Sequence, residues 1–167
     1  MRSVKEYQVL SLSAGLAEVA AALHASSGFP EPWSAAAFTE LLAMPGTAGC
    51  LALDDGHAHG LILWRVAADE AEILTLCVPP ELRRRGAGRF LLENASKAVE
   101  QAGARRLCLE VAVDNREALA LYRSLGFENK GLRPGYYRHG TSVVDAEIWI
   151  KTLKCYNLES ALYNLTY

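Results

Sequence analysis

The chain has 167 residues, 51% hydrophobic and 22% charged, with 17 basic against 19 acidic side chains and a formal net charge of −2. That length suits one compact domain with a real core, and the near balance of charge argues against a general nucleic-acid or membrane-surface binder. No stretch is long and apolar enough to span a bilayer, and no apolar segment of a signal peptide follows Met1-Arg-Ser-Val-Lys-Glu6, so a cytoplasmic location is expected.

Ser3–Leu10 reads as a first strand, and Ala14–Ser26 carries Leu16, Val19, Ala20 and Leu23 at helical spacing. Gly28-Phe-Pro-Glu-Pro-Trp33 is a turn-rich connection, and Ser34 is a good N-cap for a short helix through about Leu42. His24, Phe29 and Trp33 either line a substrate entrance or cover the core between the two helices, the second being the ordinary role for the histidine. Gly49–Leu53 and Ala58–Ala67 are strands joined by the hairpin signal Asp54-Asp-Gly56. Ala68-Asp-Glu70 then turns into Ala71–Val78, which makes three antiparallel strands in succession. His57 and His59 have no third ligand nearby, so no metal is expected. The four cysteines, Cys50, Cys77, Cys108 and Cys155, contain no C-x-x-C pair and suggest neither a disulfide framework nor a zinc site. Cys77 and Cys108 lie inside apolar strands and read as buried thiols.

The stretch Glu81-Leu-Arg-Arg-Arg-Gly-Ala-Gly-Arg-Phe-Leu-Leu-Glu93 stands between the end of a strand and a helix that runs to about Gln101. The first turn of a helix leaves about four N–H groups unpaired and carries partial positive charge, so it is a natural seat for a phosphate. Gly86 and Gly88 let backbone approach an anion, and Arg83, Arg84, Arg85 and Arg89 supply charge around it. The third glycine of a dinucleotide fingerprint is missing, and there is no Gly-Lys-Ser/Thr of a P-loop. A solvated basic turn capping an ordinary helix is the alternative reading of this stretch by itself.

Ala102-Gly-Ala104 stops the helix, and Arg106–Val113 is a strand with two distinct faces. Leu107, Leu109, Val111 and Val113 share one, while Cys108, Glu110 and Ala112 share the other. Glu110 is thus a lone carboxylate that either points to solvent or lines a cleft. Asp114-Asn115 caps a second helix, Arg116–Ser124, which Gly126 ends in a left-handed conformation. Phe127–Leu132 is a strand, Pro134–Gly140 a loop, and Val143–Ile150 a last strand. Residues 1–153 are expected to form a single domain, with 154–167 a tail of unassigned role.

The order of these pieces resembles the GNAT acetyltransferases. Arg-x-x-Gly-x-Gly over Arg83–Gly88 is similar to their acetyl-CoA pyrophosphate loop. Leu109-Glu-Val-Ala-Val-Asp-Asn-Arg-Glu-Ala-Leu-Ala-Leu-Tyr-Arg-Ser-Leu-Gly-Phe127 resembles their closing half, in particular that of the RimI-type N-terminal alanine acetyltransferases of ribosomal protein. The resemblance covers about Gly28 to Leu153. It implies an α+β fold with a mixed, mostly antiparallel sheet of six to seven strands, about four flanking helices, and a splay between the strand ending at Val78 and the one beginning near Arg106. It further implies that the backbone of Leu76, Cys77 and Val78 pairs with the pantetheine arm and that Arg83, Arg84, Arg85, Gly86, Ala87 and Gly88 hold the pyrophosphate. Asn115 would also touch acetyl-CoA, Glu110 would be the general base and Tyr122 the general acid. Three departures are visible: the double proline Pro79-Pro80, the small Ala87, and the tail after Leu153.

The chemistry is consistent with those roles. An α-amino group titrates near ~8, so a carboxylate suffices to remove its surplus proton, and a phenol of pKa near ~10 is a workable acid toward a departing thiolate. Direct transfer needs no covalent intermediate, in keeping with the lack of a Cys–His or Ser–His arrangement. The expected substrate is a protein N-terminus, most naturally an alanine-first ribosomal protein, with Phe29, Trp33, Tyr136 and Tyr137 as walls. The alternatives are acetylation of a small-molecule amine, and a non-catalytic CoA-binding or partner-binding module. Oligomeric state does not read from the sequence.

Overall fold

The computed structural model describes residues 6–139 and 141–154. Seven strands form one sheet, in the order β1 (Gln8–Ser11), β2 (Thr47–Asp54), β3 (His57–Ala67), β4 (Glu70–Cys77), β5 (Arg106–Ala112), β7 (Ser142–Thr152) and β6 (Glu128–His139). Every neighbouring pair is antiparallel except β4 and β5. Helices α1 (Ala17–Ser26) and α2 (Ala35–Ala43) cover one face of the sheet with Leu51, Leu61, Leu63 and Cys77. Helices α3 (Ala87–Gln101) and α4 (Arg116–Ser124) lie on the other, where Ile62, Ile73, Leu107, Leu109, Val111 and Trp149 pack. This is the α+β, mixed-sheet architecture that the resemblance implied.

Both α3 and α4 end in the same way. Gly103 and Gly126 take left-handed φ of 91° and 83°, a region that costs a glycine nothing. The Ala104 amide then donates to Val99 O at 3.0 Å and the Phe127 amide to Tyr122 O at 3.1 Å, closing the last turn as a Schellman motif. At the end of α4 the accompanying apolar contact is between the rings of Phe127 and Tyr122, with centroids 5.8 Å apart. The cap therefore fixes the position of Tyr122.

Several boundaries differ from the expectation. β1 begins at Gln8, and residues 1–5, which include the start of the expected first strand, lie outside the described residues, as do 155–167 of the tail. Ala14–Leu16 is a short 3-10 turn before α1, whose inner face is Ala17, Ala20, Leu23 and His24, while Val19 is 39% exposed. Val113 lies past the end of β5 and is exposed, and Cys108, on the Glu110 face, is half-buried where Cys77 is buried. The largest correction is in β6. The strand continues through Pro134, Gly135 and Tyr136, which were expected in a loop, because β7 pairs on both sides of them: Arg133 opposes Ala146 and Tyr137 opposes Val144. Three residues are thus accommodated opposite Asp145 alone as an enlarged bulge.

His24 belongs to the packing under α1 and α2. Its ring is stacked on Phe29 at 4.1 Å and Trp33 at 5.0 Å, and its Nδ1 accepts the Trp33 amide at 3.1 Å. Burial pushes its pKa down to about 4 from 6.5, so it is a neutral acceptor at pH 7. Between those two values the unfolded chain binds a proton that the folded chain refuses. The stability that neutral His24 supports is therefore full above pH 6.5 and declines as the pH falls toward 4, by up to roughly 3 kcal/mol. His24→Asn keeps an acceptor at the Nδ1 position and removes the titration. Denaturant unfolding of the two proteins is expected to show a smaller loss of stability from pH 7 to pH 4.5 in the variant; parallel curves would contradict the assignment.

Candidate active site

The site begins where β4 and β5 part. Their parallel register runs only from Glu70 opposite Arg106 to Glu72 opposite Cys108. From Ile73 to Cys77, β4 pairs with β3 alone, and Leu74 is an extra residue between the pairs Ile73–Trp64 and Thr75–Leu63. A bulge of this kind bends its strand away from the neighbour. β5 meanwhile continues along β7, with Glu110 opposite Ile148. The result is a V-shaped gap, with the free edge of Leu76 and Cys77 on one side and Glu110 on the other. Val78, the third residue expected beside a pantetheine arm, follows β4 directly and is half-buried.

The wide end of the gap leads to the loop before α3. Gly86 is the N-cap with φ 96°, and Arg84 is left-handed as well with φ 62°. A Cβ built on Gly86 would meet nothing within 4 Å, so glycine serves here for its φ and not for space. The first helical bond runs from Phe90 N to Gly86 O at 3.0 Å, which leaves the amides of Ala87, Gly88 and Arg89 without helical acceptors at the loop mouth. At Gly88 a Cβ would make ordinary contact with Leu121 of α4, 3.4 Å away.

The arginines of this loop divide by role. Arg83 donates from Nε to Val78 O at 3.0 Å and from Nη2 to Ser27 O at 2.9 Å, and its Nη1 lies 3.9 Å from Glu117. It ties together the end of β4, the end of α1 and the start of α4. Arg85 donates to Glu81 O at 3.0 Å, and its own carbonyl accepts the Tyr7 hydroxyl at 3.4 Å. Arg84 makes no hydrogen bond or ion pair with another described residue and is exposed. Unpaired helical amides, a left-handed glycine and one uncommitted guanidinium fit a pyrophosphate. Asn115 is the N-cap of α4, with Oδ1 accepting the Ala118 amide at 3.2 Å, which leaves its amide N–H groups as donors for a ligand.

Across the gap, alternation along β5 is as expected: Leu107, Leu109 and Val111 are buried against the α3–α4 core, and Glu110 faces the opposite way, half-buried. Tyr122 is 7% exposed, and burial, with a smaller contribution from Tyr137, pushes its phenol far above the usual range. It is protonated at any working pH. Tyr137 lies on β6. Its hydroxyl donates to the Glu110 carbonyl at 3.5 Å, and burial, then Tyr136 and Glu110, raise its pKa to about 12. Tyr136 meets the Tyr137 ring edge-on at 5.0 Å and is 45% exposed. Tyr137 thus contacts the backbone of Glu110 and bears electrostatically on Tyr122, whereas the Glu110 side chain faces away from the α3–α4 core in which Tyr122 is buried. Phe29 and Trp33 make their contacts with His24 and, for Trp33, the core; of the pair only Phe29 keeps substantial exposure, at 38%.

The sequence reading missed Arg133, whose Nη1 lies 2.7 Å from Glu110 Oε1. It also missed Asp145, whose Oδ1 accepts the Gly135 amide at 2.8 Å. The Pro134-Gly135 pair read as the end of a strand, which hid that Arg133 reaches Glu110 on β5 and that Asp145 holds Gly135.

A splayed mixed sheet with an anion-binding loop at the mouth of the splay defines an acyl-CoA-dependent transferase fold. Residues 20–127 match the Acetyltransferase (GNAT) family, and the chain belongs to it. It is related to the alanine N-acetyltransferases of ribosomal protein bS18. Identity is 34% over 113 residues to the putative enzyme of that name from Bacillus subtilis, covering 67% of this chain and 75% of that protein. It is 40% over 94 residues to the Salmonella typhimurium enzyme, covering 56% of this chain and 64% of that protein, so the matched stretch falls short of two thirds of that relative's length. The crystal structure of the ribosomal-protein-S18-alanine N-acetyltransferase from Escherichia coli superposes with a TM-score of 0.83 at 27% identity, over 92% of this chain and 97% of that one. No helix among the described residues is long and apolar enough to cross a membrane.

Removing the Arg83 guanidinium separates its role as a tie from a role as a bare charge. Its side chain is 41% exposed, so the lost contacts are worth about 1 kcal/mol, and Arg83→Ala is expected to speed amide hydrogen exchange at Ser27–Trp33 by roughly 5-fold. Unchanged exchange there would show that the tie carries no energy.

Proposed function

We propose that the protein transfers the acetyl group of acetyl-CoA to the α-amino group of a protein N-terminus, with an alanine-first ribosomal protein as its substrate. The reading rests on family membership and on the activity named for the bS18 relatives. The observation that carries it is the parting of β4 from β5, with Glu110 on the strand that borders the gap.

Each part of the site has a task in that reaction. Ala87, Gly88 and Arg89 amides with Arg84 would hold the pyrophosphate, and the free edge of Leu76–Val78 would align the pantetheine arm. The acetyl-CoA bound in this way supplies an activated acyl carbon. Glu110 accepts the proton that an α-ammonium group, with pKa near ~8, sheds before or during attack. Backbone N–H groups on the unpaired edge of β4 are the donors available for negative charge developing on the acyl oxygen. Tyr122 keeps its proton until the sulfur leaves and then donates it. A phenol held this far above its usual pKa is a weak acid in water, but a thiolate leaving away from solvent is also a stronger base than in water.

The test is a panel of peptides differing at their first two residues, with free small amines as controls, assayed by mass spectrometry to locate added acetyl. Alanine-first peptides modified at the α-amino group are the expected result; transfer to the small amines alone would replace this reading. Glu110→Gln and Tyr122→Phe are expected to slow transfer by at least ~10²-fold with unchanged acetyl-CoA affinity. Full turnover in both variants would remove these two groups from the chemistry.

A further inference from the structure

The enlarged bulge of β6 delivers two side chains, Arg133 and Tyr136, to the Glu110 carboxylate and a third, Tyr137, to its backbone carbonyl. We propose that Arg133 is a positioning residue for the reaction, one that fixes the Glu110 carboxylate in the orientation from which it accepts the substrate's proton. This rests on the reading of Glu110 as the base.

The bulge is built for this placement. Pro134 lacks the N–H that a ladder position would need, Gly135 supplies φ 64°, and the Gly135 amide is pinned to Asp145 Oδ1 at 2.8 Å. Without the bulge, Arg133 and Tyr136, three positions apart, would point to opposite faces of the strand. With it, the Arg133 guanidinium lies over the Tyr136 ring, 5.0 Å from its centroid, and Nη1 reaches Glu110 Oε1 at 2.7 Å. Tyr136 bears on the same carboxylate: hydrogen bonding to Glu110 is the main cause that raises its phenol above the ordinary value. The Tyr137 hydroxyl takes the Glu110 carbonyl. All three contacts come from Arg133–Tyr137.

An exposed ion pair would ordinarily hold two long side chains loosely. This one differs in its partners. The Glu110 side chain is 18% exposed against 53% for Arg133, and the guanidinium is further restrained by its stacking on Tyr136. A glutamate has three side-chain torsions to order before it can meet a proton in one direction. Arg133 engages Oε1 while Tyr136 bonds to the same carboxylate, so two side chains from β6 hold it in one orientation. The substrate's ammonium needs to find a carboxylate already aimed, and the aim comes from a strand on the far side of β7.

A double-mutant cycle on the full chain tests this. Arg133→Ala is expected to lower kcat roughly 10- to 30-fold, with the acetyl-CoA dissociation constant and the melting temperature unchanged. Arg133→Lys, which keeps the charge but not the planar stack, is expected to recover part of the loss. In a Glu110→Gln background, Arg133→Ala is expected to have no further effect on kcat, because the group it aims is no longer a base. If Glu110→Gln is slow and Arg133→Ala retains full kcat, the positioning role is overturned while Glu110 stands as the base. If the two losses multiply in the double variant, Arg133 acts on something other than Glu110 and the proposal fails. If Glu110→Gln itself turns over normally, the reading beneath the proposal fails first.

Discussion

The parting of β4 from β5 after three paired residues is the constraint that the site depends on. In a continuous sheet, the N–H and C=O groups of Ile73–Cys77 that face away from β3 would be spent on β5, and Glu110 would be one more side chain above a ladder. Two parallel strands that diverge leave those groups unspent, at a place where the loop and the N-terminus of α3 follow directly from the same strand. Backbone donors, an anion seat and a carboxylate then share one opening without any of them being on a long loop.

What keeps the opening from closing is found on both sides of it. The extra residue Leu74 bends β4 while β3 still holds it. β5 is held by β7 along its whole length, and β7 by β6. Arg83 spans the mouth by bonding to carbonyls of Val78 and Ser27. The loop arginines therefore do more than add positive charge: one holds structure, one braces its own turn, and Arg84 is left for an anion.

Much of this was legible in the chain. The glycines at 86, 103 and 126 mark the start of α3 and the ends of α3 and α4 because the left-handed backbone they permit is a local property. The alternation of β5 is equally local, and it put Glu110 on the less covered face. What did not read were features set by partners far away in sequence. Pro134-Gly135 carries a strong turn signal, and only pairing with β7, together with the Asp145 side chain, makes it a bulge inside a strand. Arg133 next to that signal gave no sign that it reaches back to Glu110. The structural tie that Arg83 makes did not read either, because its acceptor Ser27 O is 56 positions away. His24 took the core-covering role that is ordinary for it, while Val19, expected on the apolar side of α1, is exposed.

The central claim is that the gap and the start of α3 form one continuous seat for acetyl-CoA. Amide NMR during titration with acetyl-CoA tests it most directly. The account predicts shifts concentrated at Leu76–Val78 and at Arg84–Arg89, with the Tyr137 and Glu110 amides following. Saturable shifts confined to other surfaces, with those two segments unmoved, would contradict it.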